Sequence, residues 1–198
     1  MIIWINGAFG SGKTTVAFEL HRRIKNSIVY DPENVGYFMW KNSSGILKKG
    51  DFQDIELWRE MNYKMLKLIS DNHDGLIIAP MTLVNPEYYQ EIIGRLRDDG
   101  TEIRHFILYA SAETIIKRLK RRSFGRLKRE SFAVDSIGRC INSFDNYITE
   151  EKILIDDKTP DDIVAEIAVK AMIKLEPDKR FKIKKIFDRY ITLLKHIR

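Results

Sequence analysis

Apolar positions along the chain alternate between short unbroken runs and longer stretches of helical spacing. Ile2-Ile3-Trp4-Ile5 is such a run, within Met1–Asn6, and it stops at a glycine-rich turn. A strand buried on both faces looks continuously apolar, so this run predicts a first strand. Val16, Ala17, Leu20 and Ile24 then recur at helical intervals over residues 14–24. Ile28–Tyr30 predicts a second strand, Leu76–Ala79 a third, Ile103–Tyr109 a fourth and Ile153–Ile155 a fifth. Between them, helices are predicted over Pro86–Asp98, over residues 112–122 and from Thr159 to about Ile173. Pro86 and Pro160 suit the first helical position, and Gly100 suits the exit of the first of these helices. Spacing from Leu57 through Met61, Met65 and Leu68 adds a helix in the long crossover of residues 36–74. Alternating strands and helices define an α/β fold with a five-stranded parallel sheet flanked by helices. Residues 1–175 form the predicted domain, and Glu176-Pro177-Asp178 separates it from a tail at 176–198.

Composition narrows the class. The chain is 44% apolar and 31% charged, as expected of a globular protein with a core. No segment has the roughly 18 unbroken apolar residues of a membrane span, and the N-terminus lacks signal-peptide features. A single cysteine, Cys140, forms no internal disulfide, which suits a reducing cytoplasm. His21, His73, His105 and His196 are too scattered for a zinc motif. The net charge of +6 is concentrated: residues 179–198 hold eight basic residues against Asp188, a net +7, and the rest carries −1.

The strongest chemical signal is Gly7-Ala8-Phe9-Gly10-Ser11-Gly12-Lys13-Thr14, set between a strand and a helix. This is the phosphate-binding pattern G-x-x-x-x-G-K-[ST]. Glycines let backbone N–H groups approach phosphate oxygens, and the following helix, entered through Thr15, adds its positive end. Lys13 supplies a point charge, and the Thr14 hydroxyl is the candidate Mg²⁺ ligand. ATP with Mg²⁺ is the expected ligand. The third strand runs into Ala79-Pro80-Met81-Thr82 without the carboxylate of a switch-type NTPase. A small kinase is the class that remains.

Asp31 follows the second strand, and functional groups of parallel sheets collect at the carboxyl ends of strands. Its carboxylate can take a proton from a substrate hydroxyl or hold Mg²⁺ through water, or it can simply start a turn with Pro32. Lys117-Arg118-Leu119-Lys120-Arg121-Arg122, then Arg126, Lys128 and Arg129, form a basic stretch without an acid. Arg118 and Arg122 share a helix face and suit a lid over residues 117–139 that surrounds a moving phosphoryl group. A solvated basic helix or a nucleic-acid patch is the alternative. Arg139 is a further candidate phosphate contact. The crossover is aromatic, with Tyr37, Phe38, Trp40, Phe52, Trp58 and Tyr63; such residues either form core or line an acceptor cleft. In the tail, Ile183, Ile186, Phe187, Tyr190, Ile191, Leu194 and Ile197 form one helical stripe opposite a basic face. That pattern serves equally for an anionic membrane surface or for docking on the body.

The strings MIIWINGAFGSGKT, AFELHRR, YDPE, DFQ, LWR, PMT and NPEYYQEIIGRLR, with the closing basic helix, resemble the bacterial tunicamycin resistance protein family. The resemblance spans nearly the whole chain and weakens in the lid and over residues 142–148. It implies a nucleoside monophosphate kinase-like P-loop fold and ATP binding. It implies a nucleoside antibiotic as the small-molecule partner, and association of the C-terminal helix with a membrane. Asp31, Phe52, Trp58, Arg59 and Thr82 become the expected substrate-binding set. Lys13, Asp31, Arg118 and Arg122 become the expected catalytic set. The chain differs from nucleoside monophosphate kinases at residues 79–82, where those carry an acid and an arginine. That difference argues against a nucleotide acceptor, and no base-reading motif supports a nucleic-acid partner. Two functions follow from the resemblance: phosphotransfer to a hydroxyl of the antibiotic, or ATP-dependent sequestration of it at a membrane.

Overall fold

The computed structural model describes residues 1–43, 50–122 and 131–196. Five parallel strands form one sheet: β1 (Ile2–Gly7), β2 (Ser27–Val29), β3 (Leu76–Pro80), β4 (Ile103–Tyr109) and β5 (Glu151–Leu154), in the order β2-β3-β1-β4-β5. The first strand is central, with Ile3 beside Ile78 on one side and Ile5 beside Phe106 on the other. All six residues of β1 are buried, because helices cover both faces of the sheet.

Alternation along β1 builds two cores. Ile3 and Ile5 face one layer, packing with Val16, Leu20, Phe106 and Ile167. Ile2 and Trp4 face the other, packing with Trp58, Leu66, Ile77 and Ile92. The first layer includes α1 (Lys13–Arg23) and α9 (Pro160–Lys170). The second includes α3 (Glu56–Asn72) and the helical stretch of α4 (Pro86–Tyr89), a π turn over Gln90–Gly94 and α5 (Arg95–Asp98). Helix α9 opens with a complete capping box, in which Thr159 and Asp162 satisfy one another's backbone N–H groups.

The predicted strands and long helices are all present, with ends shifted by up to four residues. Three helices lie where none was expected: α2 (Glu33–Asn42), α7 (Ser131–Asp135) and α8 (Ile137–Asn146). The remaining helices are α6 (Ala112–Arg122) and α10 (Lys182–His196). None of the helices among the described residues is long and apolar enough to cross a membrane.

The tail packs against the body, yet its faces are reversed from ordinary docking. Glu176 N–H donates to the Arg23 carbonyl at 2.7 Å, and α10 then lies along α1. Lys185, Arg189 and His196 of α10 face inward, while Ile183, Ile186, Phe187, Tyr190 and Leu194 are exposed.

Candidate functional site

The loop after β1 is shaped by glycines that only glycine suits. Gly10 and Gly12 have φ of +85° and +100°, in the left-handed region. A Cβ on Gly10 would also stand 2.9 Å from the Leu119 side chain, so α6 presses directly on the loop. Gly12 leads into α1, whose first turn presents its N–H groups to the loop. Asn6 fixes the strand end beneath. Its Oδ1 accepts from Gly7 N–H at 2.8 Å and Leu83 N–H at 2.9 Å, and its Nδ2 donates to the Leu83 carbonyl at 2.7 Å. Thr82 donates its hydroxyl proton to the Gly7 carbonyl at 2.8 Å. Both residues therefore tie the loop to the chain leaving β3.

Lys13 folds back over this loop, its Nζ donating to the carbonyls of Gly7 at 3.0 Å and Ala8 at 3.2 Å. Burial lowers its pKa to about 8, and Glu33 and Asp31 partly oppose that shift. The Ser11 hydroxyl is buried without a hydrogen-bond partner. A buried ammonium, an unsatisfied hydroxyl and the open end of a helix on one loop fit a triphosphate. Thr14, partly exposed in the first turn, offers the hydroxyl for Mg²⁺. Thr15 is buried behind it. Phe9 stacks edge-on against Phe132 of α7 at 5.5 Å, and Lys13 lies 5.4 Å from the Phe9 ring centre.

Asp31 starts the next helix and also meets the tail. Its Oδ1 accepts from Glu33 N–H at 3.0 Å, which starts α2, and its Oδ2 lies 3.6 Å from Nδ1 of His196. Glu33 is the acid that sequence reasoning missed. Burial and the adjacent Asp31 push its pKa up, while Lys13 and Arg122 pull it down. Lys13, Asp31, Glu33 and Arg122 thus share one electrostatic field.

Arg118 faces the loop from the other side. It donates to the Ser11 carbonyl at 2.9 Å and to the Ile155 carbonyl at 2.8 Å, and burial lowers its pKa. It joins α6, the phosphate loop and the exit of β5. Arg126, Lys128 and Arg129 lie outside the described residues.

Asp51, Asp54, Asn85, Glu87, Tyr88 and Arg139 wall a cavity of about 510 Å³. Burial raises the pKa of Asp51, and Arg139 is among the groups that lower it. Tyr88 donates to Asp54 at 3.0 Å. Arg139, a candidate phosphate contact, lines this cavity.

None of the crossover aromatic residues is among the described residues that line the cavity. Trp58 is wholly buried, and its indole N–H donates to the Pro32 carbonyl at 3.1 Å. Phe52 is buried against it, with ring centres 5.3 Å apart. Arg59 is also buried, paired with Glu91 at 2.6 Å and stacked on Tyr88 at 4.3 Å. Expected to touch the acceptor, Phe52, Trp58 and Arg59 have their side chains spent on one another and on the wall. The cavity surface itself comes from Asp51, Asp54 and residues 84–88, which have no compact motif.

This architecture is that of a P-loop nucleotide-binding domain of the small-molecule kinase type. The chain belongs to the AAA domain family, whose profile matches residues 2–145. No curated protein matches it significantly in sequence. In structure it is similar to the tunicamycin resistance protein of Deinococcus radiodurans, with a TM-score of 0.75, 27% identity, and coverage of 89% of this chain and 98% of that one. A sugar kinase from a Janibacter species shares the fold at TM-score 0.58 and 16% identity, covering 87% and 94% of the two chains. Shikimate kinase from Bacteroides thetaiotaomicron does so at 0.57 and 16%, covering 87% and 99%.

Proposed function

We propose that the protein is an ATP- and Mg²⁺-dependent phosphotransferase acting on a hydroxyl of a tunicamycin-like nucleoside antibiotic. One observation carries this reading: the phosphate loop holds a buried Lys13 folded back on the Gly7 and Ala8 carbonyls, an unsatisfied buried Ser11 hydroxyl and Arg118 on the Ser11 carbonyl. Bound ATP with Mg²⁺ supplies the phosphoryl group and much of its countercharge, with Thr14 as the metal's protein ligand. Asp31 takes the proton of the acceptor hydroxyl as its oxygen bonds to the γ-phosphorus and the β–γ bridge opens. Lys13, the loop N–H groups and Arg122 carry the charge that spreads over the phosphoryl oxygens and the departing ADP. Arg118 holds the loop in shape through the Ser11 carbonyl.

The cavity lining narrows the acceptor. Among the described residues of the lining, Asp51, Asp54 and Glu87 face one cation, Arg139. Like charges disfavour an acceptor bearing phosphate or carboxylate, whereas sugar hydroxyls and amides pair with carboxylates readily. An uncharged, polyhydroxylated portion of the antibiotic suits the cavity.

A second reading draws on the outward apolar stripe of α10. Lys182, Lys184 and Lys195 are exposed on the same helix, so the tail can meet an anionic membrane surface with its apolar side. The protein would then be an ATP-dependent binder that holds the antibiotic there unmodified.

Mass spectrometry separates the two. Tunicamycin incubated with the protein, ATP and Mg²⁺ is expected to gain one phosphate, and Lys13→Ala is expected to abolish the gain. An unmodified drug that still binds only with ATP present sinks the phosphotransferase reading and leaves sequestration.

A further inference from the structure

We propose that His196 positions Asp31, which makes the C-terminal helix a wall of the catalytic site; the inference rests on Asp31 being the base. The polar face of α10 carries Lys185, Arg189, Thr192 and His196, spaced i, i+4, i+7 and i+11, so one stripe runs the length of the helix. Every member meets the body. Lys185 lies 3.1 Å from Asp178 and 3.5 Å from Asp161. Arg189 lies 2.8 Å from Asp161 and 3.4 Å from Glu19, as charge pairs without hydrogen-bond geometry. Thr192 accepts from Arg22 at 3.1 Å. His196 ends the stripe, 3.6 Å from Asp31 Oδ2, with its ring 4.7 Å from that of Phe18.

The anchor for this stripe is Glu19, whose side chain is only 1% exposed although it lies midway along the phosphate-loop helix. Arg180 reaches it at 2.5 Å and Arg22 at 3.1 Å. Glu19, Asp161 and Asp178 bring carboxylate oxygens close enough together to hold a cation, and the cations in place are Arg180, Lys185 and Arg189. Detaching the tail from Arg180 onward would take Arg180 and Arg189 from Glu19 and leave it only Arg22, so the docked tail is the stable arrangement.

Docking also leaves nothing to be gained by release. The apolar stripe already faces outward, so α10 can meet an apolar partner without leaving the body. The contact with Asp31 therefore belongs to the working state. The two carboxylate oxygens then meet different groups, Oδ1 the Glu33 N–H and Oδ2 His196, with the Phe18 ring packed beside the imidazole. At 3.6 Å the imidazole orients the carboxylate electrostatically and leaves the proton acceptor role to Asp31.

The test uses the full chain with tunicamycin, ATP and Mg²⁺. His196→Ala is expected to lower kcat about tenfold, with KM for the acceptor and Kd for ATP within about twofold. His196→Gln, which keeps a polar donor, is expected to recover part of the loss. In an Asp31→Asn background His196→Ala should have no further effect, whereas a purely structural role would add to the loss. Ile186→Ser, on the outer stripe, should leave the rate unchanged. An unchanged rate in His196→Ala overturns the proposal, and a faster one shows that the tail blocks Asp31. If the wild-type protein transfers no phosphate, the phosphotransferase reading has failed and this one falls with it.

Discussion

Helices α9 and α10 both pack on α1, and both are amphipathic, yet they turn opposite sides toward it. Helix α9 buries Ile163, Val164, Ile167 and Ala168 and keeps Asp161 and Asp162 at its outer first turn. Helix α10 buries only Thr192 and leaves five large apolar side chains exposed, with Lys185, Arg189 and His196 turned inward. The difference comes from what α1 offers. Toward α9 it presents Val16 and Leu20, part of the core. Toward α10 it presents Glu19, a buried carboxylate that requires a cation. An amphipathic pattern establishes that a helix has two faces; the receiving surface decides which one is covered.

The largest expected effect comes from placing the same acid in each helix. Ile167→Asp buries an unpaired charge and should cost more than about 4 kcal/mol, enough to remove the circular-dichroism melting transition. Ile186→Asp should change stability by less than about 0.5 kcal/mol. Equal losses would mean that α10 buries its stripe after all.

Glu19→Gln comes next. It strips the charge from the anchor of α10 while sparing that of α9, and should cost about 3 kcal/mol. Trypsin cleavage within residues 180–196 should rise before the body is cut. A tail that stays protected would place its hold elsewhere.

Mild acid should act on the body and spare the tail. Burial holds His105 neutral, its pKa lowered to about 3 from an ordinary 6.5. The unfolded chain therefore binds a proton that the folded chain refuses, so stability falls as pH drops through 6.5 toward 3. At pH 5 the loss should be about 2 kcal/mol in urea unfolding, and His105→Leu should remove it. The carboxylates that hold α10 behave differently. Arg180 keeps the pKa of Asp178 and Asp188 well below the ordinary value near 3.8, so both stay charged at pH 5 and the tail should remain docked. The smallest effect is that of salt. Raising NaCl to about 1 M should increase tail proteolysis modestly, through screening of the partly exposed pairs, without shifting the melting of the body.

Legibility followed the range of the interactions involved. The phosphate loop could be read because its glycines, lysine and hydroxyl act within eight consecutive residues. The central strands could be read because burial on both faces leaves an unbroken apolar run. Helix α2 was hidden by Asp31-Pro32, which resembles a turn, and by Gly36, an unfavourable helix residue. Gly36 has a tertiary reason: a Cβ there would meet the Phe52 ring at 2.5 Å. The cavity drew its walls from three separate segments, and the most conspicuous aromatic residues, Phe52 and Trp58, went into the core. The tail showed its helix but not its orientation, because Arg180 and Glu19 are separated by 161 residues.

The central place of β1 also bears on how the chain is made. Its neighbours β3 and β4 begin at Leu76 and Ile103, so about seventy further residues must leave the ribosome before the first partner is complete, and about a hundred before the second. Through that interval Ile2-Ile3-Trp4-Ile5 is an unpaired apolar strand with two open edges. The segment most deeply buried in the finished sheet is thus the one that most needs a chaperone during synthesis, and overproduction that outpaces folding should drive the chain into inclusion bodies through β1.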